Sequence, residues 1–266
     1  MSAGPIFVLG DVHGQYEKLA NLFKEAGLMD AKQGWCGGDA QLWLLGDYFD
    51  RGPEGIACLD LIMSLQGQAT NAGGLLGTLL GNHDVLLLAA LFFGEEASTG
   101  SAGNFYADWL HNGGNEADLD ALTPAHMAWL LDLPGMALVE GRLLAHADAQ
   151  FYLRYGHSIP QVNRGLSALL QARQSTAWDG LLKDFNQRRY FWDPETGADN
   201  ARTFLGIYGG KQLIHGHSPI SRLTGQRPDL VQTPLVYAEG LCINIDGGMY
   251  LGSPGFIYPL GESSDE

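Results

Sequence analysis

Two carboxylates and a guanidinium fall within five residues of Gly46-Asp47-Tyr48-Phe49-Asp50-Arg51-Gly52. Charged groups packed this closely are costly to bury unless they are paired or bound to an ion. The bland alternative is a solvated turn with an Asp–Arg pair. Four further stretches weigh against it. Asp11 and His13 stand in Gly10-Asp11-Val12-His13-Gly14, and Asn82 and His83 in Gly81-Asn82-His83-Asp84. His146 ends an apolar run, and His217 closes His215-Gly216-His217. Carboxylate, amide oxygen and imidazole together form a donor set for Mn, Fe or Zn. The glycines beside them permit the tight turns that aim side chains inward. A lone histidine is more often a capped or core residue than a ligand, but five of the eight here follow predicted strands.

These groups need elements that bring them together. Ile6 to Leu9 reads as a first strand. The spacing of Tyr16, Leu19, Leu22, Phe23 and Ala26 predicts a helix from Gln15 to Ala26, stopped by Gly27. Gln41 to Leu45 is an apolar run that reads as a second, buried strand. Pro53 and Glu54 open a helix with Ile56, Leu59, Leu61, Ile62 and Leu65 on its apolar side. Gly73 to Leu80 gives a third strand, Gly81 to Asp84 a polar loop, and Val85 to Phe93 a buried helix. This rhythm predicts a mostly parallel sheet with helices on both faces. It puts the polar loops at the carboxyl edge, where open α/β sheets bind ligands.

Residues 94–122 are rich in Gly and Asn, with one helix expected near Phe105 to His111. Thr123-Pro124 caps a helix running to about Leu131. Met136 to Glu140 and Arg142 to His146 form a hairpin about Glu140-Gly141. Between 150 and 205 the texture changes to helical spacing, aromatics and six arginines, Arg154, Arg164, Arg173, Arg188, Arg189 and Arg202. This reads as a helical insertion or cap. Gln212 to His215 is another strand. Val231 to Tyr237, Leu241 to Asp246 and Phe256 to Leu260 finish the fold as antiparallel strands, and the tail after Gly261 is acidic and expected to fray.

The 266 residues suffice for a large core, as one domain or a domain with an insertion. No apolar run approaches the roughly 20 residues of a membrane helix. Pro5 to Leu9 is too short for a signal segment and has no basic residues before it. Cys36, Cys58 and Cys242 are widely spaced and odd in number, giving neither a disulfide framework nor a CxxC zinc site. The expected compartment is the cytoplasm. A formal net charge of −15 argues against broad nucleic-acid binding. It also repels phosphorylated substrates at long range, so phosphate chemistry needs local positive charge, for which bound cations are the obvious source.

The blocks Gly10 to Gly14, Gly46 to Gly52 and Gly81 to Asp84 resemble, in order and spacing, the signature blocks of the phosphoprotein phosphatases. Those enzymes are a branch of the calcineurin-like metallophosphoesterases that includes bacterial serine/threonine phosphatases. The resemblance runs from about residue 6 to 260. It implies an α/β fold: a four-layered β-sandwich flanked by helices, with a binuclear centre of two divalent ions, Mn²⁺ or else Fe or Zn. It implies Asp11 and His13 on the first metal, Asp47 bridging both, and Asn82, His146 and His217 on the second. It further implies a phosphomonoesterase in which a metal-bridging hydroxide attacks phosphorus, His83 protonates the leaving group, Asp50 orients His83 and Arg51 clamps the phosphate. Asn82 also borders the substrate. The implied partner is a phosphorylated protein or small phosphate ester, without nucleic acid or membrane; the oligomeric state stays open.

Several positions depart from the family pattern. Asp84 stands where Glu is usual, and Ala147-Asp148 follows His146 where two glycines are common. Pro219 occupies a position that holds a further His in the broader superfamily. His215 is either a support for a ligand or a plain strand-end histidine, and Asp246 either a support for a ligand loop or a turn residue. A second phosphate-binding arginine has no clear motif; Arg189 is the expectation, with Arg188 and Arg202 as rivals and solvated surface as the alternative. Hydrolysis of dinucleoside polyphosphates uses the same blocks and is the competing activity. A binding module that has lost catalysis is the reading from another class.

Overall fold

The computed structural model describes residues 4–261, so the acidic tail after Gly261 lies outside the described residues. Among the described residues, nine short strands form two sheets rather than the single helix-covered sheet expected from the strand–helix rhythm. In the first sheet, β1 (Ile6–Leu9), β2 (Gln41–Leu44) and β3 (Leu75–Thr78) run parallel, and β9 (Tyr258–Leu260) pairs antiparallel to β1. In the second, β4 (Met136–Val139) and β5 (Arg142–Ala145) form the expected hairpin. Next to β5 run β6 (Gln212–His215) and β8 (Cys242–Asn244), both parallel to it, and β7 (Leu235–Tyr237) closes the edge. Thus β7 and β9 are antiparallel as expected, whereas β8 is parallel to β6.

Side chains alternate across each strand, and the two faces enter different cores. Ile6, Val8, Leu45, Leu79 and Leu260 of the first sheet meet Val139, Leu144, Ile214, Ile243 and Ile245 of the second in one apolar layer. The opposite faces, with Leu9, Leu42, Leu44, Leu76, Leu143, Leu213 and Cys242, pack under the helices. This is the helix-flanked sandwich implied by the resemblance.

Helices α1 (Tyr16–Glu25), α2 (Gly55–Asn71) and α3 (Asn82–Phe93) follow the first three strands. α3 starts earlier than the apolar run suggests: Asn82, His83 and Asp84 form its first turn, not a loop. The helix expected near Phe105 to His111 is α4 (Phe105–His111), and the cap expected at Thr123 opens α6 (Pro124–Leu131). Asn104 accepts from the Ala107 amide at 2.7 Å, and Thr123 Oγ1 accepts from the His126 amide at 3.2 Å. A short α5 (Glu116–Ala121) was not expected; its Asp118 accepts from the Gly55 and Ile56 amides at the start of α2, where negative charge is favoured. The segment at 150–205 forms α7 (Ile159–Ala172), α8 (Ser175–Phe185) and most of α9 (Gly197–Tyr208). α7 packs on β4, α8 on α3 and α9 on β6, so these helices join the outer layer. At the edge where the parallel strands end, α8 and the turn after it line a cavity together with Arg51 and Asn82.

Candidate metal centre

Six parallel strands, three from each sheet, end at one edge, and each delivers a polar side chain there. Beyond β1 stand Asp11 and His13, beyond β2 Asp47, and beyond β3 Asn82. The second sheet supplies His146, His217 and Asp246 beyond β5, β6 and β8. Asp11, His13, Asp47, His146, His217 and Asp246 are all 5% exposed or less. The turns carrying them are tight. His13, Asp47, Asp50, Arg51 and His217 all have φ between 48° and 68°, in the left-handed region that costs a non-glycine residue of order 1–3 kcal/mol. Backbone bonds between loops hold them: the Val12 and His13 amides donate to Asp47 O, and the Gly14 amide to Tyr48 O. Gly81 and Gly216 let the loops close up, since a Cβ at Gly216 would lie 2.2 Å from Asp11 Oδ1 and one at Gly81 2.3 Å from the Asp47 amide nitrogen.

The donor atoms face one another. His13 Nε2 lies 3.8 Å from Asp11 Oδ2 and 3.6 Å from Asp47 Oδ2. The other oxygen of Asp47 lies 3.4 Å from His146 Nε2. Asn82 Oδ1 is 3.1 Å from His146 Nε2 and 2.8 Å from His217 Nδ1, and those two imidazole nitrogens are 3.2 Å apart. Donors about 2.1 Å from a first-row cation stand roughly 3.0–3.4 Å from one another along the edges of its coordination shell. The Asp47, Asn82, His146 and His217 donors, at 2.8–3.4 Å, are close to that spacing, and those around His13, at 3.6–3.8 Å, are wider.

The tautomers fit as well. His13 Nδ1 and His146 Nδ1 donate to the Phe49 and Leu45 carbonyls, each at 2.9 Å, which leaves their Nε2 lone pairs pointing into the site. Lone pairs, carboxylates and an amide oxygen converge here, a donor set for a divalent cation. Arg51 donates from a terminal guanidinium nitrogen to His13 Nε2 at 3.0 Å. Although burial opposes it, the Asp47 charge pushes His146 up to about 9. Burial, then the neighbouring Asp246, raises Asp11 well above the carboxylate range. For His217, burial and then His146 hold the imidazole well below its usual value.

Two groups in the site are arranged for something other than ligation. His83 Nδ1 donates to Asp50 Oδ2 at 2.6 Å, and Asp50 Oδ1 accepts from Trp109 Nε1 at 2.7 Å. His83 Nε2 is buried without a partner beside His13, whose ring it meets edge-on at 4.7 Å. By distance alone His83 could complete a donor group with His13 and Asp47. Burial, only partly opposed by the Asp47 charge, pulls its imidazolium down to about 3 and lifts the Asp50 carboxyl, so the pair is held short of full ionisation. Arg51 lies over the Tyr250 ring at 4.5 Å, an arrangement that orients a guanidinium without neutralising it.

The structure brings together Asp11, His13, Asp47, Asn82, His146, His217, His83, Asp50 and Arg51. It does not bring Arg189. Arg188, one residue earlier, lines a cavity of about 450 Å³ next to the site together with Arg51 and Asn82. Both arginines are exposed, but Arg189, with φ 63°, is not among the residues lining that cavity. Arg202 is bound to Asp199 and Glu239 on the surface of α9. His215 is tied to Tyr237, with Nε2 2.7 Å from the phenol oxygen. Asp246 does hold a turn, accepting from the Gly248 amide at 2.9 Å, but its second oxygen is buried and unpartnered near Asp11. Sequence reasoning missed Tyr250, whose only signal was an aromatic residue shortly after a strand end. It also missed the work of Asp84, which is 0% exposed and accepts from the Gly81, Asp47 and Tyr48 amides at 2.8, 3.0 and 3.0 Å.

The family model of the calcineurin-like phosphoesterases matches residues 4–221. Over 104 residues the chain is 34% identical to Shewanella-like protein phosphatase 2 of Arabidopsis thaliana, covering 39% of this chain and 27% of that protein. Over 142 residues it is 30% identical to a symmetrical bis(5'-nucleosyl)-tetraphosphatase of Aromatoleum aromaticum, covering 53% of this chain and 43% of that one. The chain thus matches less than half the length of these curated relatives. A solved structure of a cold-active protein-tyrosine phosphatase from a psychrophilic Shewanella species superposes with a TM-score of 0.73 at 20% identity. It covers 97% of this chain and 76% of the other, a likeness of fold.

Proposed function

Because the chain belongs to the calcineurin-like phosphoesterase family, we propose that it is a metal-dependent phosphomonoesterase acting on a phosphorylated protein side chain or a small phosphate ester. One observation carries this reading. The two oxygens of Asp47 face two separate imidazoles, His13 at 3.6 Å and His146 at 3.4 Å, as a carboxylate shared between two cations must. Asp11, His13 and Asp47 would hold one divalent ion, and Asp47, Asn82, His146 and His217 the other. Manganese is the proposed metal, with iron or zinc as alternatives of the same donor preference. When bound, such a pair neutralises phosphate oxygens and acidifies a water to serve as nucleophile.

The chain's own groups supply the rest. Arg51, steadied on Tyr250, and Arg188 across the cavity present guanidinium donors to the phosphate oxygens. His83 Nε2, buried and otherwise unpartnered, gives its proton to the leaving alkoxide. Asp50, itself fixed by Trp109, keeps the imidazole turned toward the site. The negative charge of an incoming phosphate favours the imidazolium form needed for this step.

Hydrolysis of dinucleoside polyphosphates is favoured by the relative from Aromatoleum aromaticum. Against it, none of the described side chains lining the adjacent cavity is Phe, Tyr or Trp; Ser98, Thr99, Ser101, Asn112 and Lys183 line much of it, and stacking of a base would fall to His111 or an arginine. The absence of any described helix long and apolar enough to cross a membrane, and three free cysteines, accord with our proposal of a cytoplasmic location. The test is metal analysis followed by hydrolysis of phosphoseryl and phosphotyrosyl peptides, p-nitrophenyl phosphate and diadenosine tetraphosphate with Mn²⁺ added. Turnover of the monoesters supports the reading. Turnover of the dinucleotide alone transfers it to the second activity, and full metal loading without any turnover leaves the binding module.

A further inference from the structure

We propose that Asp148 is a positioning residue that holds the Arg188 loop against the metal edge and thereby sets the affinity of the site for phosphate. The inference rests on the phosphoesterase reading. Asp148 lies two residues beyond His146, where the family pattern has glycine, and is 3% exposed. A carboxylate buried there is costly unless its oxygens are bonded, and all its bonds lead to one segment and its support. Oδ1 accepts from the Phe191 amide at 2.8 Å, and the main-chain carbonyl accepts from the Tyr190 amide at 3.3 Å. Oδ2 accepts from the Tyr237 hydroxyl at 2.5 Å, and that oxygen lies 2.7 Å from His215 Nε2. The Trp192 ring closes on Tyr237 at 4.9 Å.

The segment between α8 and α9 contains no strand or helix, and Arg189 within it is left-handed. Two successive amides of this segment therefore depend on a single residue. The loop needs such a tether because it brings one cation toward another. Burial and then the nearby Arg51 make the Arg188 guanidinium harder to keep charged. No described carboxylate pairs with it. Before an anion arrives, this repulsion pushes the loop outward. With the loop tied to Asp148, and so to the strand end that carries His146, Arg188 stays in place for phosphate instead of being ordered by it. His215 gains a role here too, as the far anchor of the Tyr237 hydroxyl.

The experiment measures calorimetric binding of inorganic phosphate to the Mn²⁺-loaded protein as wild type, Asp148→Ala, Asp148→Asn, Arg188→Ala and Arg188→Ala/Asp148→Ala. It adds hydrogen exchange at the Tyr190 and Phe191 amides. Asp148→Ala should weaken phosphate about tenfold or more, the range for a lost charge-assisted contact, at unchanged metal content and with fast exchange at the Phe191 amide, whose acceptor is lost. KM for p-nitrophenyl phosphate should rise more than kcat falls. Asp148→Asn, which keeps an oxygen for the Phe191 amide, should recover most of the affinity. In the Arg188→Ala background, Asp148→Ala should change affinity less than about twofold, because the two act as a unit. If Asp148→Ala does not fold, Tyr237→Phe is read the same way in both backgrounds. Additive losses in the double variant, or a fast-exchanging Phe191 amide with unchanged phosphate affinity, overturn the inference while the phosphoesterase reading stands. A wild-type protein that takes up metal but binds no phosphate removes that reading, and the inference falls with it.

Discussion

Asp84 offers the sharpest test of how the metal edge is built. Its carboxylate accepts from three amides, Gly81, Asp47 and Tyr48, from the first turn of α3. Asp84→Ala leaves all three buried without an acceptor. At about 1–3 kcal/mol for each stranded donor the sum is roughly 3–9 kcal/mol, a large part of the 5–15 kcal/mol or so that keeps a domain folded. Asp84→Asn is the discriminating variant. Its oxygen can serve Gly81 and Asp47 where Oδ2 stands, but its amide group then faces the Tyr48 N–H. One bond is lost, worth about 1–3 kcal/mol. An opposing effect decides where in that range the result falls. Burial, reinforced by the Asp47 charge, pushes the Asp84 carboxyl up to about 8. The neutral amide escapes that cost, so the loss should lie near the lower end, about 1 kcal/mol. At roughly 2–4 °C per kcal/mol for a chain near this size, calorimetry should show a Tm lower by a few degrees for Asn and by well over ten for Ala. Metal content by elemental analysis should fall with it, since the same bonds hold the Asp47 turn. An Ala variant that melts within about a degree of wild type with both metals retained would refute the reasoning.

Three further outcomes are expected. Asp47→Asn should lower metal content at both sites and activity together; two retained metals with near-normal turnover would remove the shared carboxylate. His83→Ala should keep the metals and lose roughly 10²–10⁴-fold in rate on esters with poor leaving groups. That loss should shrink on p-nitrophenyl phosphate, whose leaving group hardly needs a proton; an equal loss on both counts against proton transfer. Arg188→Ala should raise KM, and lower kcat too if the contact strengthens in the transition state, whereas Arg189→Ala should leave both within about twofold; the reverse order would restore Arg189.

Much of this architecture could be read from local pattern. The first three strand–loop–helix units, the hairpin at Met136–Ala145 and the starts of α4 and α6 all have short-range signals: apolar runs, Gly stops and Asn or Thr caps. What was misread depends on partners distant in sequence. The strands are three or four residues long and largely apolar whichever way a side chain points, so they read as short apolar runs. Nothing local distinguishes one sheet from two; the division comes from the pairing of β5 with β6 and of β6 with β8. α5 is only six residues long and acidic, without apolar periodicity, and is held by Asp118 reaching α2 more than 60 residues away in sequence. The chemistry-bearing residues were legible because glycines and strand ends frame them. Arg188 and Arg189 were not separable, because two adjacent arginines on an irregular loop carry the same signal. Which one faces inward follows from bonds to Asp148, some 40 residues earlier.

The left-handed turns at His13, Asp47, Asp50, Arg51 and His217 also bear on how this protein could be engineered. Glycine adopts such a conformation without the steric penalty. Each of the five is therefore a place where the fold has forgone stability, by about 1 kcal/mol or more, to keep a functional side chain. Glycine would relieve that strain, but at Asp50 it would also strand the buried Trp109 and His83 donors, and at Asp47 the His83 amide, each costing about 1–3 kcal/mol. The strain and the bonds are thus tied to the same side chains, and a stabilised variant must find its gains elsewhere, in the helical layer or the surface loops.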